Sequence, residues 1–211
     1  MTDADALAAG AVALGVELDA AQLARLVAFA DLLRRWNGAF NLVSRSDVDR
    51  LVPRHLLDAL SLAPRLCGRR VVDLGTGAGL PGLPLAIALP DLQFTLVDRN
   101  QRRIRFVQQA RIELDLANVE PVASDFASFR PATLFDTVVS RAVAKPAALW
   151  RVASTLLAAD GVAVLHVGAG EHDVGTADAW AQTECIRIPG IEQSQQIMTI
   201  RRAQVDRQIE R

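Results

Sequence analysis

Lysine is almost missing from this 211-residue chain: of 23 basic residues, 22 are arginine and one is Lys145. That lysine lies in Ala144-Lys145-Pro146, so no G-x-x-x-x-G-K-[ST] phosphate loop exists and an ordinary P-loop NTPase is excluded. Cysteine is scarce too. Cys67 and Cys185 give neither a disulfide framework nor a metal-type pair. No serine sits in a G-x-S-x-G elbow, and no H-E-x-x-H occurs. The three histidines, His55, His166 and His172, are scattered and read as structural or surface residues, so no metal is expected. Neither sign of charge is in excess: 23 basic residues face 24 acidic ones, a formal net of −1, which rules out a strongly basic coat but not a local patch. The longest uncharged run, Leu74 to Pro90, is broken by glycines and prolines and is no membrane helix. Ala6 to Val16 is apolar, but Asp3 and Asp5 precede it where a signal peptide needs basic residues. The expectation is a cytoplasmic globular protein.

What is present is enough for a core: 51% hydrophobic against 22% charged residues, in a length that suits one domain with an appendage. The first ~65 residues read as helical. Asp19 can cap a helix with Leu23, Leu26, Val27, Ala30 and Leu33 on one face, running to about Trp36, where Asn37-Gly38 stops it. A second helix is expected from near Ser46, with its start blurred by Pro53. After Gly68 the rhythm changes to strands alternating with helices. Arg70–Leu74, Gln93–Val97, Val119–Val122, Phe135–Ser140 and Gly161–Val167 read as strands, and Glu184–Ile188 and Gln196–Arg201 as two more. Helices are expected at Leu83–Leu89, Arg102–Leu114 and Ala147–Leu157. The α/β alternation implies a mostly parallel sheet covered on both faces, with its ligand beyond the carboxyl ends of the strands. The expected division is a helical extension over residues 1–66 and a cofactor-binding domain over 67–211.

The first strand runs into Asp73-Leu74-Gly75-Thr76-Gly77-Ala78-Gly79. Glycines at alternate positions permit a sharp turn and let a ligand press on the backbone. An acid before the turn suits a positively charged or hydrogen-donating ligand such as S-adenosylmethionine better than a pyrophosphate. Asp98 ends the next strand, 19 residues after Gly79, where a carboxylate can accept both ribose hydroxyls. A rival parsing exists: Gly77 to Gly82 also satisfies G-x-G-x-x-G, the mark of a nicotinamide-dependent oxidoreductase. Asp73, Pro81 and the two residues between the strand and Gly77, Gly75 and Thr76, argue against it.

The fourth strand ends Ser140-Arg141-Ala142, without the [ND]-P-P-[YFW] signature of exocyclic base amine methylation. Methylating a pyrimidine carbon needs a cysteine nucleophile, and neither cysteine lies at a strand end facing the site. Acceptors that already carry a lone pair remain. Guanine nitrogen 7 is one: it needs no general base, and its methylation rests on proximity and orientation.

Longer stretches point to a family. Arg35-Trp36-Asn37-Gly38-Ala39-Phe40-Asn41-Leu42 carries W-N-x-x-x-N-L, and Arg54-His55-Leu56-Leu57-Asp58 matches R-H-[IL]-L-D. Asp73 to Leu85 and Phe135 to Ala142 follow in order. Over about residues 20 to 168 the chain resembles the bacterial small-subunit ribosomal RNA methyltransferases called RsmG or GidB. The resemblance implies a Rossmann-like class I methyltransferase sheet of seven strands, with S-adenosylmethionine methylating guanine nitrogen 7 in a loop of 16S ribosomal RNA, as RNA or within the small subunit. It places the cofactor on Gly75, Gly77, Gly79 and Leu80, with Asp98 at the ribose, Phe126 and Ala127 flanking the adenine and Arg141 lining the site. Two residues depart from the family pattern: Asp125 and His166 stand where relatives carry basic residues.

Arg141 ends a central strand, so it faces the ligand crevice. It could hold the methionine carboxylate, an RNA phosphate or a guanine edge. The alternative is an ion pair with Asp73 or Asp136. Arg99, Arg102, Arg103, Arg105 and Arg111 form the densest basic cluster, and Arg34, Arg35, Arg45, Arg50 and Arg54 a second. Both are candidate RNA surfaces or else solvated helix faces. A monomer is expected.

Overall fold

The computed structural model describes residues 2–141, 144–170 and 172–203. Ala142 of the Ser140-Arg141-Ala142 motif and the last eight residues of the expected 67–211 domain lie outside this range.

Two capped helices open the chain. In α1 (Asp3–Ala13) Thr2 and Asp5 cap each other's backbone, and in α2 (Ala20–Phe40) Asp19 and Gln22 do the same. The expected stop at Asn37-Gly38 does not occur. The helix continues to Phe40 and closes on Asn41 in the left-handed region at φ +47°. Asn37 is buried, and its Oδ1 accepts the Val43 N–H at 2.8 Å. The side chain read as a helix breaker thus ties down the chain that follows. Trp36 packs edge-on against Phe106 with ring centroids 5.6 Å apart and stacks on Phe40 at 5.0 Å.

The second expected helix is not a regular one. A 3-10 turn (Arg45–Arg50) leads into a π-helical turn (Val52–Leu57) and a short α3 (Asp58–Leu60), then a 3-10 turn at Ala63–Arg65. Pro53 has no N–H to give to an α-helical ladder, so the chain winds differently on each side of it.

A seven-stranded sheet follows: β1 (Arg70–Leu74), β2 (Gln93–Asp98), β3 (Val119–Ala123), β4 (Phe135–Arg141), β5 (Leu157–Val167), β6 (Ala179–Ile186) and β7 (Gln195–Arg202). Helices α4 (Gly82–Ala88), α5 (Gln101–Glu113) and α6 (Pro146–Leu156) connect them. The order is β3-β2-β1-β4-β5-β7-β6, parallel except for β7, which runs antiparallel between β5 and β6. This is the expected mostly parallel α/β sheet. The expected strands are all present, β5 starting four residues earlier and β6 five residues earlier than the pattern suggested.

The central strands are buried on both faces, hence the unbroken Val71-Val72 and Val138-Val139 pairs. One apolar core joins Leu7, Phe29 and Leu33 of the extension to Val71, Leu83, Leu96 and Phe106 of the sheet layer. A second, with Leu74, Val138, Trp150 and Ile200, fills the opposite face. The extension therefore completes one face of the sheet.

Candidate active site

The carboxyl ends of β1, β2 and β4 open onto a cavity of about 500 Å³, within the ~300–1,000 Å³ typical of small-molecule sites. Its wall includes Gly75, Gly77 and Leu80 from the glycine turn, Asp98 at the end of β2 and Arg103 after it, Phe126 after β3, and Arg141 at the end of β4. Gly79 and Ala127 stand outside the lining. Leu42 is in it, a residue whose role sequence reasoning missed. The signal was the W-N-x-x-x-N-L element: Asn41 and Asn37 fold the chain back after α2 and so carry Leu42 to the cavity.

The glycine turn is held from below. Gly75 and Thr76 both donate their N–H to the Val97 carbonyl, at 2.8 and 3.0 Å, which pins the turn to β2. Gly75, Gly77 and Gly79 all have φ between +58° and +77°, where a side chain is strained. A Cβ on Gly77 would project into nearly open space, whereas one on Gly79 would collide with Leu83. Gly77 thus keeps its backbone open to a ligand, while Gly79 serves the packing of α4.

Asp73 does not face the cavity as a ligand for a cationic group. It is fully buried, and its Oδ2 accepts the Thr76 hydroxyl at 2.6 Å and the Gly82 N–H at 2.9 Å. Burial pushes its carboxyl up to about 6, against the pull of those two hydrogen bonds. It shapes the turn and leaves Oδ1 buried with no hydrogen-bond partner among the described residues. Asp98 does face the cavity: Oδ2 accepts the Gly77 N–H at 2.9 Å, Oδ1 the Asn100 N–H at 2.8 Å, and Arg103 Nη1 stands 3.6 Å from Oδ2.

Arg141 pairs with neither of the acids considered for it. Asp136 lies at the start of β4 and accepts the Arg69 and Arg70 N–H groups, and Asp73 is taken by the turn. The partners are in the extension instead: Arg141 Nη1 lies 2.9 Å from His55 Nδ1 and 3.4 Å from Asp58 Oδ2. Asp58 Oδ1 is 3.4 Å from His166 Nε2, whose ring also meets the Ser61 hydroxyl at 3.3 Å. His55 and His166 are both held below the ordinary imidazole range, chiefly by burial and, for His55, next by the Arg141 charge, which brings it to about 4. His166 is therefore an inward-facing member of this cluster, not a surface donor.

The arginines divide. Arg99 and Arg103 line the cavity, and Arg102 and Arg105 are exposed beside it on α5. The second group is largely spoken for: Arg34 pairs with Asp3 and Asp31, and Arg35 with Glu113. Asp125 is exposed in the cavity wall, with Oδ1 accepting the Ala127 N–H at 2.9 Å.

A family model described as rRNA small subunit methyltransferase G matches residues 22–195. The chain belongs to that family. The ribosomal RNA small subunit methyltransferase G of Methylococcus capsulatus is 44% identical over 182 residues, 85% of this chain and 89% of that protein. The protein of the same name from Pseudomonas aeruginosa is 49% identical over 140 residues, 66% of this chain and 65% of its own length. Among solved structures, the O-methyltransferase TomG from Streptomyces achromogenes, in complex with SAM, superposes with a TM-score of 0.57 at 18% identity, covering 89% of this chain and 92% of that one. That likeness shows the class I methyltransferase fold. The rival oxidoreductase reading finds no support in these relatives. Among the described residues no cluster of three metal-ligating side chains occurs and no helix is long and apolar enough to cross a membrane.

Proposed function

We propose that this member of the methyltransferase G family transfers a methyl group from S-adenosylmethionine to guanine nitrogen 7 in a loop of 16S ribosomal RNA. The observation that carries the reading is the pairing of an open, positive-φ glycine turn with the Asp98 carboxylate across one cavity at the strand ends. The residues fit the cofactor: Gly75 and Gly77 leave room against the backbone, Asp98 offers acceptors for ribose hydroxyls, and Phe126 and Leu80 give apolar surface for an adenine. Gly79 contributes through the turn and Ala127 through its hydrogen bond to Asp125.

When bound, S-adenosylmethionine supplies an activated methyl on a sulfonium. Guanine nitrogen 7 is unprotonated at neutral pH, so no side chain has to remove a proton from it. The chain's work is then alignment, with Arg141 as the candidate that holds the methionine carboxylate, an RNA phosphate or a guanine edge at the cavity wall. Arg99 and Arg103 sit where phosphates of an approaching RNA would pass, supplying affinity without sequence information. We place the reaction in the cytoplasm, on RNA or the small subunit, with the protein acting as a monomer and residues 1–66 serving as an appendage packed on the methyltransferase domain.

The test is transfer of radiolabelled methyl from S-adenosylmethionine to 16S RNA and to small subunits from a strain lacking the modification, with the product base identified after digestion. Label recovered as 7-methylguanosine at one site is the expected result. Absence of label from both substrates sinks the reading. Arg141→Ala is expected to lose transfer while keeping a cooperative melt, and undiminished turnover would remove Arg141 from the site.

A further inference from the structure

The R-H-[IL]-L-D element lies outside the cofactor cradle: Arg54 to Leu57 make up most of the π-helical turn, Leu56 and Leu57 are buried in the core, and the polar members His55 and Asp58 face Arg141. We propose that His55 is a positioning residue for methyl transfer, one that grips the Arg141 guanidinium by a single nitrogen and so aims the rest of that group into the cavity. The proposal rests on reading the cavity as the methyl-transfer site.

The chemistry of the contact is forced. A guanidinium has five N–H donors and no acceptor, so at 2.9 Å the His55 Nδ1 must be the acceptor and its proton must sit on Nε2. That tautomer leaves Nε2–H buried without a hydrogen bond among the described residues, with Asp47 Oδ2 3.7 Å away. The charged groups facing His55 are Asp47 and Arg54 from the extension, Asp58 from α3 and Arg141 from β4, and burial outweighs the two acids to keep the ring neutral. A neutral acceptor occupies one N–H of Arg141 by a hydrogen bond and leaves its charge in place.

Asp58 approaches the same Nη1 only at 3.4 Å and is shared with His166. Both contacts therefore fall on one nitrogen, and among the described residues Nη2 and Nε make no hydrogen bond. Arg141 lines the cavity with its side chain 22% exposed. The side turned to the extension is held and the side turned to the cavity is available. An arginine on a strand end with no such anchor would sample many rotamers, and misplacement of an aligning group by about 1 Å can cost ~100-fold in rate.

The experiment measures kcat and KM for RNA methylation, with melting curves, for wild type, His55→Asn, His55→Leu, Arg141→Ala and the His55→Leu/Arg141→Ala double variant. Asparagine can present an amide oxygen near the Nδ1 position, whereas leucine keeps the bulk and offers no acceptor. Expected are a loss of about 100-fold in kcat/KM for His55→Leu, recovery of most of it in His55→Asn, and almost no further loss when His55→Leu is added to Arg141→Ala. Nitrogen-15 spectra of the wild-type imidazole are expected to show Nδ1 bare and Nε2 protonated, a readout independent of turnover and of any variant's folding. A wild type that methylates RNA while His55→Leu acts at full rate, or costs the same factor with and without Arg141, overturns the proposal alone. So does a protonated Nδ1. A wild type with no RNA methylation overturns the underlying reading and this proposal with it.

Discussion

Asp98 and Gly77 are joined by a hydrogen bond of 2.9 Å from the glycine N–H to Oδ2, so the last residue of β2 sets the floor of the turn after β1. One carboxylate thus shapes the cradle and offers itself to what lies in it. Asp98→Ala is expected to weaken S-adenosylmethionine binding at least tenfold, since charge-assisted hydrogen bonds are worth about 1.5–3 kcal/mol each. Asp98→Asn keeps one oxygen for Gly77 but sets an amide N–H2 against another donor, and should fall between. Calorimetric titration of the cofactor decides; unchanged affinity in the alanine variant would remove Asp98 from the binding site.

Gly77 and Gly79 share a left-handed backbone but should fail differently. Gly77→Ala meets little beyond the Arg103 side chain, so its stability cost is the backbone strain of about 1–2 kcal/mol. Its larger effect is expected on cofactor affinity, because the new methyl projects into the cavity. Gly79→Ala adds a collision with Leu83 in the core under α4 and is expected to lower the melting temperature further. Urea melts and cofactor titrations of the two variants, side by side, check the contrast.

Acid should act on two buried groups in opposite senses. The His55 imidazole, held at about 4, refuses a proton that the unfolded chain accepts from about pH 6.5 downward, so this group costs stability as pH falls through that window, by about 3 kcal/mol in all. Asp73, pushed up to about 6, holds a proton in the folded state that the unfolded chain has released above about pH 4; it adds stability as pH falls from 6 to 4, again by about 3 kcal/mol. His166 is shifted in the same direction as His55. Asp73→Asn is therefore expected to be more stable than wild type at pH 7 and to lose stability more steeply toward pH 4.5. His55→Asn should shift the slope the other way. Urea midpoints at four pH values test both.

Arg202, on β7, donates to the carbonyls of Ser154, Leu157, Ala158 and Ala159, where α6 gives way to β5. A cation at a helix carboxyl terminus satisfies carbonyls that have no other donor. Arg202→Met is expected to lower stability by about 2 kcal/mol with the kinetic constants unchanged, because it sits at the amino end of β5, opposite the strand ends that line the cavity. A variant with normal melting would mean water replaces the guanidinium at no cost.

The sheet was legible because buried strands announce themselves: Arg70 to Leu74 and Phe135 to Ser140 carry the Val71-Val72 and Val138-Val139 pairs of strands buried on both faces, and α5 and α6 each turn one apolar face inward, whereas α4 is buried all round. The cradle was legible for the same reason, as Gly75, Gly77 and Asp98 answer to backbone rules that operate locally. What failed was long-range. Asn37-Gly38 reads as a stop in isolation, yet Asn37 is buried by tertiary contacts and its amide has Val43 to bind. Arg141 was weighed against acids close to it in strand order, Asp73 and Asp136, whereas its partners lie 83 and 86 residues earlier in the chain. His166 reads as structural or surface from the sequence, and only its contacts with Asp58 and Ser61 of the extension decide for the first. The charge of Asp73 suits a cationic or hydrogen-donating ligand when the strand end is read alone; in the fold Thr76 and Gly82 occupy it.

The position of β7 between β5 and β6 has a consequence in time. β6 is synthesised first, but among the described residues its only strand partner is β7, and most of its residues are exposed on both faces. Until residues 195–202 have been made, β6 has no edge to pair with in its native place, so the native sheet of that moment ends at β5. β7 is made after the strand that it admits, so removing that single strand would cost the sheet two.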